Sequence, residues 1–376
     1  MPRFSGKAWL GAALAVLLFL GAALFLIGRI QYRLGVMDVE RYEPVSSLVV
    51  PRHPLTRARF PFVDVHNHQF LMPVQNLDHL VAEMDELNMG VMINLSGFRG
   101  KLLKWSLANV KAHQANRFLV FLNLDFEQVD AADWPEAPLA QLEAAAKLGA
   151  KGLKVYKSLG LTDRDRSGKR IAVDDARLDP IWKRCGELGL PVLIHSAEPA
   201  PFFQPKDERN ERWLELKQEP SRFRPPDKYP PFETILAEQH HLFRKHPGTK
   251  FIDAHLGWLG NDLARLGKLF DELPNVSTEL GAVLAELGRQ PRFAREWLIR
   301  YQDRVLFGKD TYKKEEYYTY FRVLETADEY FDYYRKRHAH WKMYGLELPD
   351  AVLRKIYYEN ALKLFPSIDQ GLFRTR

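Results

Sequence analysis

From Pro61 onward, short β-branched or apolar runs alternate with longer amphipathic stretches. Eight runs read as strands: FVDVH, VMINLS, FLVFLNL, GLKVY, PVLIH, KFIDAH, NVSTEL and RVLFG. Between them lie helix-like segments such as NLDHLVAEMDELNMG and EAPLAQLEAAAKLGA, the second closing on Gly149 as a helix stop. Strands that alternate with helices pair in parallel, and eight of them predict an α/β fold of the (β/α)8, TIM-barrel type. A doubly wound open sheet is the alternative, but no Gly-rich phosphate loop follows the first strand.

Two stretches depart from the alternation. Residues 199–232 are rich in Pro, Arg, Glu and aromatics and are too long for a simple connection, so they read as an insertion. Residues 315–365 are expected to be mostly helical, with an aromatic run from Tyr317 to Tyr334 that packs against the barrel. Before Pro61 the pattern is different. Ala8 to Ile27 carries no charge and as a helix would be about 30 Å long, enough to cross a bilayer. Arg3 and Lys7 precede it, Arg29 and Arg33 follow. The run is longer than the apolar part of a cleaved signal. The expected organisation is a membrane anchor, or a signal segment as the alternative, over 1–30, a linker over 31–60 and a barrel over 61–376, with the barrel exported to the periplasmic or extracellular side.

Charge sharpens this division. Residues 1–60 hold 8 of the 54 Lys and Arg and 3 of the 48 Asp and Glu, leaving 46 basic against 45 acidic residues in the remainder. A nearly neutral body offers no concentrated basic face, which argues against nucleic acid as a partner. Cys185 is the only cysteine, so no internal disulfide can form.

The candidate chemistry sits at the ends of the apolar runs. His66 and His68 close the first, His195 the fifth and His255 the sixth, while Asp310 follows the eighth. Alternation places Asp64, His66 and His68 on one strand face, with the histidine Cα atoms ~7 Å apart, close enough for two imidazoles to reach one ion at ~2 Å bonds. Any one of these residues alone reads as a hydrogen-bonded core histidine or a cap. Polar groups ending four apolar strands point together to one nitrogen- and oxygen-rich site at the barrel mouth, suited to zinc, manganese or iron. His240, His241, His246, His338 and His340 lie in polar surroundings and receive no ligand role.

From Pro61 to Phe365 the chain resembles the amidohydrolase superfamily, in its amidohydrolase-related branch. The resemblance rests on His66-x-His68, His195, His255, the Phe-Gly-x-Asp of 307–310, and the late segment ENALKLF. It implies a metal-dependent barrel enzyme that hydrolyses a C–N or C–O bond (amide, lactone or ester) of a small molecule, or that decarboxylates an aromatic acid. It implies His66, His68, His195 and Asp310 as ligands of a divalent ion, zinc first. Asp310 would also take the proton from water. His255 would orient that water and polarise the carbonyl, or hold a second ion. GAKGLKVYKSLG is similar to the stretch of urease and cyclic amidohydrolases that carries a carboxylated lysine between two metals, here Lys154. An ordinary cation is the other reading of Lys154, and one ion is expected rather than two. Where the branch has Ser-Asp-x-Pro, this chain has Lys309-Asp310-Thr311-Tyr312, which puts the substrate contacts of that loop in question. Tyr156, Lys157, Arg99 and Glu279 lie near strand ends and are candidate substrate contacts, against salt bridges or loop hydrogen bonds. Asn123 and Trp258 are weaker candidates. A tethered, non-catalytic binding protein is the remaining alternative, and oligomerisation is left open.

Overall fold

A computed structural model describes residues 6–374 of the chain. They fall into two compact units, Met1–Val49 and Val50–Arg376. The first unit is built on one helix, Gly6–Gly35, followed by a turn at Val39–Arg41. Its segment Ala13–Arg33 has a mean hydropathy of 2.4 and buries none of its side chains. The helix runs past the expected limit at residue 30, because nothing between Ile27 and Gly35 breaks it. The expected linker is shortened from the other end too. Ala58 is buried and its N–H donates to Leu87 O at 3.1 Å, while His53 N donates to Asp328 Oδ2 at 2.8 Å. Residues 50–60 therefore belong to the barrel unit.

In that unit, nine strand segments make eight staves. They are β1 (Phe62–Asn67), β2 (Met89–Asn94), β3 (Phe118–Val120), β4 (Leu122–Asn123), β5 (Leu153–Val155), β6 (Val192–Ile194), β7 (Phe251–Asp253), β8 (Val276–Glu279) and β9 (Val305–Leu306). All pairings are parallel, in the orders β1-β2-β3 and β4-β5-β6-β7-β8-β9. β3 and β4 are two halves of one stave, interrupted at Phe121, whose N–H still donates to Asn94 O at 2.9 Å. The ring closes between β9 and β1, where Val65 N donates to Phe307 O at 2.9 Å and Asn67 bridges Asp310. Closure rules out the open doubly wound sheet.

Parallel strands with helices outside are buried on both faces, which explains the nearly continuous apolar runs. Val63, Val65, Ile93, Phe121, Leu193 and Ile252 fill the interior together with Phe365 and Phe373 from the C-terminal segment. The outward-facing set, such as Phe62, Leu153, Val155 and Val192, packs beneath the helices. Local signals end those helices as expected. Asn76 caps Leu77–Leu87 by accepting from Asp78 N and His79 N, and Asn88 ends it at φ 69°. Gly149, at φ 112°, ends Glu136–Leu148.

The two irregular stretches turn out differently. The 199–232 insertion is ordered, with short helices at Trp213–Gln218 and 3-10 turns beside it. Within it Arg212 pairs with Glu215 at 2.9 Å, and the same guanidinium ties the insertion to Glu286 at 2.6 Å. The expected helical run over 315–365 holds at its two ends and fails in the middle. The helix Lys314–Glu325 stops, and 326–349 holds only a 3-10 turn and the Phe331–Met343 bridge before helix resumes at Asp350. Asp328 explains the stop: it accepts from Arg322 Nε at 2.6 Å and from His53 N, which turns the chain away from the helix axis. The aromatic run still packs, since Tyr317, Tyr320 and Tyr333 are buried.

Candidate active site

Strand β1 does not alternate to its end. Val63 and Val65 belong to the interior cluster, and the register against β2 slips between Asp64 and Asn67. Such an irregularity re-aims the residues after it. Asp64 is left on the outer side, accepting from Tyr317 OH at 2.6 Å, Asn67 Nδ2 at 2.8 Å and the backbone N–H groups of His66 and Lys309 at 3.1 Å. The expectation that Asp64 shares a face with the histidines is corrected by this bulge. Burial pushes the Asp64 carboxyl up to about 6, against the opposing pull of Tyr317 and Asn67. His66 and His68 turn inward, with Nε2 atoms 3.4 and 3.6 Å from Asp310 Oδ1.

Four other strand ends complete the group. His195 follows β6, and its Nδ1 lies 3.2 Å from His255 Nε2. His255 follows β7 in a run of left-handed backbone, with φ of 60° at His255, 55° at Leu256 and 55° at Trp258. Seven of the ten non-glycine residues with positive φ among the described residues follow strands at this end of the barrel, Asp310 included at φ 86°. Each such residue costs of order 1–3 kcal/mol, so the strain is concentrated at the mouth. Glu279, at the end of β8, is fully buried behind the imidazoles. Its Oε1 accepts from His66 Nδ1 at 2.9 Å and from His255 N at 2.7 Å, and its Oε2 accepts from Gly281 N. A group so enclosed does not meet a ligand in the mouth, so the expected substrate contact at Glu279 becomes an orienting one.

These bonds fix tautomers. Glu279 and Gly281 O (2.7 Å from His255 Nδ1) accept, so His66 and His255 carry a proton at Nδ1, and in the neutral His66 ring Nε2 is bare. His195 Nδ1 and His255 Nε2 share one hydrogen bond, which leaves His195 Nε2 without a partner. His68 Nδ1 meets Ser96 Oγ at 2.7 Å, itself 3.1 Å from Tyr156 OH. Burial, reinforced by Lys154 and neighbouring imidazoles, holds His66 and His195 well below the ordinary histidine value. Burial, with Lys154 next, lowers His68 to about 4. Burial raises Asp310, yet the surrounding imidazoles and Lys154 hold it below the ordinary carboxylate value. The result is neutral imidazoles at His66, His68 and His195 beside an ionised carboxylate.

The fit to a cation shows in what is left over. His66 Nε2, His195 Nε2 and Lys154 Nζ are buried without a hydrogen-bond partner, and unmet buried polar atoms are costly. His66, His255 and Asp310 offer ligand atoms all within 4.8 Å of one another. Of the sequence-derived set, His66 and His68 meet Asp310, at 3.4 and 3.6 Å, with His255 in the same cluster, whereas His195 joins the group through His255 Nε2. Lys154 lies on the interior side of β5, 5.6 Å over the Tyr156 ring, and burial lowers its amine to about 7.

The remaining candidates are engaged elsewhere. Lys157 pairs with Glu198 at 2.5 Å and Arg99 with Asp125 at 3.1 Å. Asn123 accepts from Phe98 N at 2.8 Å and shapes the rim, whereas Trp258 stacks 4.7 Å from the His255 ring. Lys309, the departure in the strand-eight motif, points outward to Glu316 between the rings of Tyr317 and Tyr334. Sequence reasoning missed Ser96 and Glu198. Ser96 ends VMINLS as the histidines end their runs, and that signal was available; Glu198 lies in a loop and gave none.

An α/β barrel closed by eight parallel staves, with polar residues collected at the C-terminal ends of five of them, is an enzyme architecture. The family model described as Amidohydrolase, the second of that name, matches residues 105–367, and the chain belongs to this family. Among solved structures it is similar to an uncharacterized TIM-barrel protein from Bordetella bronchiseptica, at a TM-score of 0.51 and 15% identity over 81% of this chain and 98% of that one. A dihydroxybenzoic acid decarboxylase from Polaromonas sp., with bound manganese and the inhibitor 2-nitroresorcinol, gives 0.51 and 17% over 84% and 100%. A 2,6-dihydroxybenzoate decarboxylase from Rhizobium gives 0.50 and 17% over 82% and 99%. At these identities the likeness speaks for the fold. No curated protein matches the chain.

Proposed function

We propose that the chain is a metal-dependent hydrolase acting on a C–N or C–O bond of a small molecule. His66, His68, His195 and Asp310 hold one divalent ion, zinc first, and His255 stands beside it. The observation that carries this reading is the buried, unpartnered Nε2 of His66, 3.4 Å from the Asp310 carboxylate, with a second unpartnered Nε2 at His195. A bound ion would supply Lewis-acid polarisation and make water acidic enough to react near neutral pH. The chain's own residues do the rest. Glu279 fixes the His66 ring, which presents its Nε2 to the mouth, and the His255 backbone. Asp310 accepts the proton of the attacking water and returns it to the leaving group. His255 engages its Nε2 with His195 Nδ1 at 3.2 Å and so supports that ring beside the ion, which narrows its expected role of orienting the water or polarising the carbonyl. Lys154 stands as a cation at the wall, and a single ion leaves it free of any bridging duty.

Decarboxylation is the second reading, favoured by one observation: Lys154 Nζ is buried and unpartnered, as a carboxylate-binding cation would be. The other cations it would call on, Lys157 and Arg99, are held by Glu198 and Asp125. Product analysis in 18O-labelled water, with metal content per chain measured alongside, separates the two. Label in the product and metal near one per chain support hydrolysis; carbon dioxide release without label overturns it. The same proposal takes Ala13–Arg33 as an uncleaved membrane span with the barrel exported, supported by its length, its apolar composition and its wholly exposed side chains.

A further inference from the structure

Eight large apolar side chains in the barrel unit are more than 40% exposed, and five of them sit on two adjoining elements: Phe70, Leu71, Val74, Leu102 and Trp105. The other three, Leu148, Phe293 and Tyr330, are on separate elements. Single exposed apolar residues are ordinary, whereas a gathered set marks a contact surface. The gathering has a structural cause. Leu102, Trp105 and Asn109 follow i, i+3, i+7 spacing on the helix Gly100–His113 and lie along one stripe. Asn109 Nδ2 donates to Met72 O at 2.8 Å and Gln75 O at 3.0 Å, which lays the loop carrying Phe70, Leu71 and Val74 beside that stripe. Phe70 also stacks on His68 at 5.7 Å and lies 6.4 Å from Phe98, so the apolar rim continues into the wall of the site.

Charge says what covers this rim. Arg99, Lys101 and Lys104 are interleaved with Leu102 and Trp105 and are exposed, and among the described residues neither lysine has an acidic side chain within ion-pair distance. Tryptophan and leucine beside free lysines suit the headgroup layer of an anionic bilayer better than a second protein's dry interface. The same chain carries an apolar helix of spanning length, and residues 36–49, at up to about 3.5 Å each, give the barrel ample reach to the surface. We infer that the rim formed by residues 70–74 and 99–105 rests in the headgroup layer of an anionic bilayer, turning the mouth of the site toward lipid. This rests on the reading of Ala13–Arg33 as a membrane span.

The test uses the full chain reconstituted in liposomes of phosphatidylcholine with and without phosphatidylglycerol. A nitroxide is placed at Leu71→Cys or, as control, at Lys268→Cys, on the helix after β7 across the ring from β2; Cys185 is buried and does not compete. In anionic liposomes the label at 71 should collide with an aqueous nickel chelate on the order of tenfold less than the control, as expected for a face sunk ~5–10 Å into the interface. Lys101→Glu with Lys104→Glu should remove most of that protection, about fivefold per lysine. A chain that co-floats with liposomes while both labels stay equally aqueous overturns the rim and leaves the anchor standing. A chain that does not co-float overturns both. Protection that persists in detergent, with Leu71→Cys disulfide dimers, assigns the surface to a second copy and also overturns the proposal.

Discussion

The two arcs of the barrel mouth are built on opposite economies of hydrogen bonding. On the arc from β6 through β9 to β1, neighbours on the protein hold the imidazoles and leave one nitrogen of two of them without a partner. His66 gives Nδ1 to Glu279 and keeps Nε2; His195 engages Nδ1 with His255 and keeps Nε2. On the arc of β2 through β5, the cations pair off: Arg99 with Asp125, Lys157 with Glu198, and Glu198 again with Arg224 at 2.7 Å. Lys154 is the exception, a buried amine on the second arc with no partner. Polar residues at strand ends are thus a weak sign of chemistry by themselves. Single unmatched polar atoms also occur away from the mouth, at Ser106 and Trp182 for example, so the stronger sign is their gathering, with two imidazole nitrogens and an amine at the ends of neighbouring strands.

Removing the carboxylate of the first arc gives the largest effect. Asp310→Asn keeps the size of the side chain but loses both the anionic ligand and the proton acceptor. Activity should fall by ~10³-fold or more, about 4 kcal/mol of barrier, and metal content should fall with it. Activity within tenfold of the parent would show that the arc is structural and not chemical. Glu279→Gln comes next. The amide can still accept from His66 Nδ1 but no longer from all three donors as an anion, and orienting partners of this kind are worth ~10–100-fold in metal affinity. Competition with a chelator measures it. Gly308→Ala checks the same support from a second direction, since a Cβ there would come within 2.3 Å of Glu279 Oε2 and 3.0 Å of the His66 Cβ. Both variants should weaken metal retention while the barrel remains folded by circular dichroism. If neither does, Glu279 is only packing.

What could be read in the sequence follows the same division. His195, His255 and Asp310 stood out because each ends an apolar run where burial disfavours it, and that local contradiction is visible without a fold. Asp64 misled because strict alternation was carried through a bulge, and the bulge depends on Asp64 bonding to residues 309 and 317, far along the chain. The left-handed turn that aims His255 gave no signal either, as His255, Leu256 and Trp258 are not residues that favour it. Lys157 and Arg99 looked available because their partners lie in loops, where periodicity has nothing to say. The end of the helix at Glu325 was hidden for a related reason: the aromatic spacing continues while the backbone turns to reach Asp328 and His53.

The smallest expected effect tests the second arc. Lys157 is 44% exposed on its side chain, and Glu198 retains Arg224 when the lysine is removed. An exposed pair is worth about 0–1 kcal/mol, and here the buried partner is left matched, so Lys157→Met should change stability by less than ~1 kcal/mol in a denaturant titration. Metal content should stay at the parent level and kcat/KM should stay within about threefold, a shift of roughly 0.6 kcal/mol. A rise in KM of tenfold or more with kcat and metal content preserved would break the comparison. It would mean that the ion pair with Glu198 opens to receive substrate, moving Lys157 into the binding surface and strengthening the decarboxylase reading, which needs such a cation near Lys154.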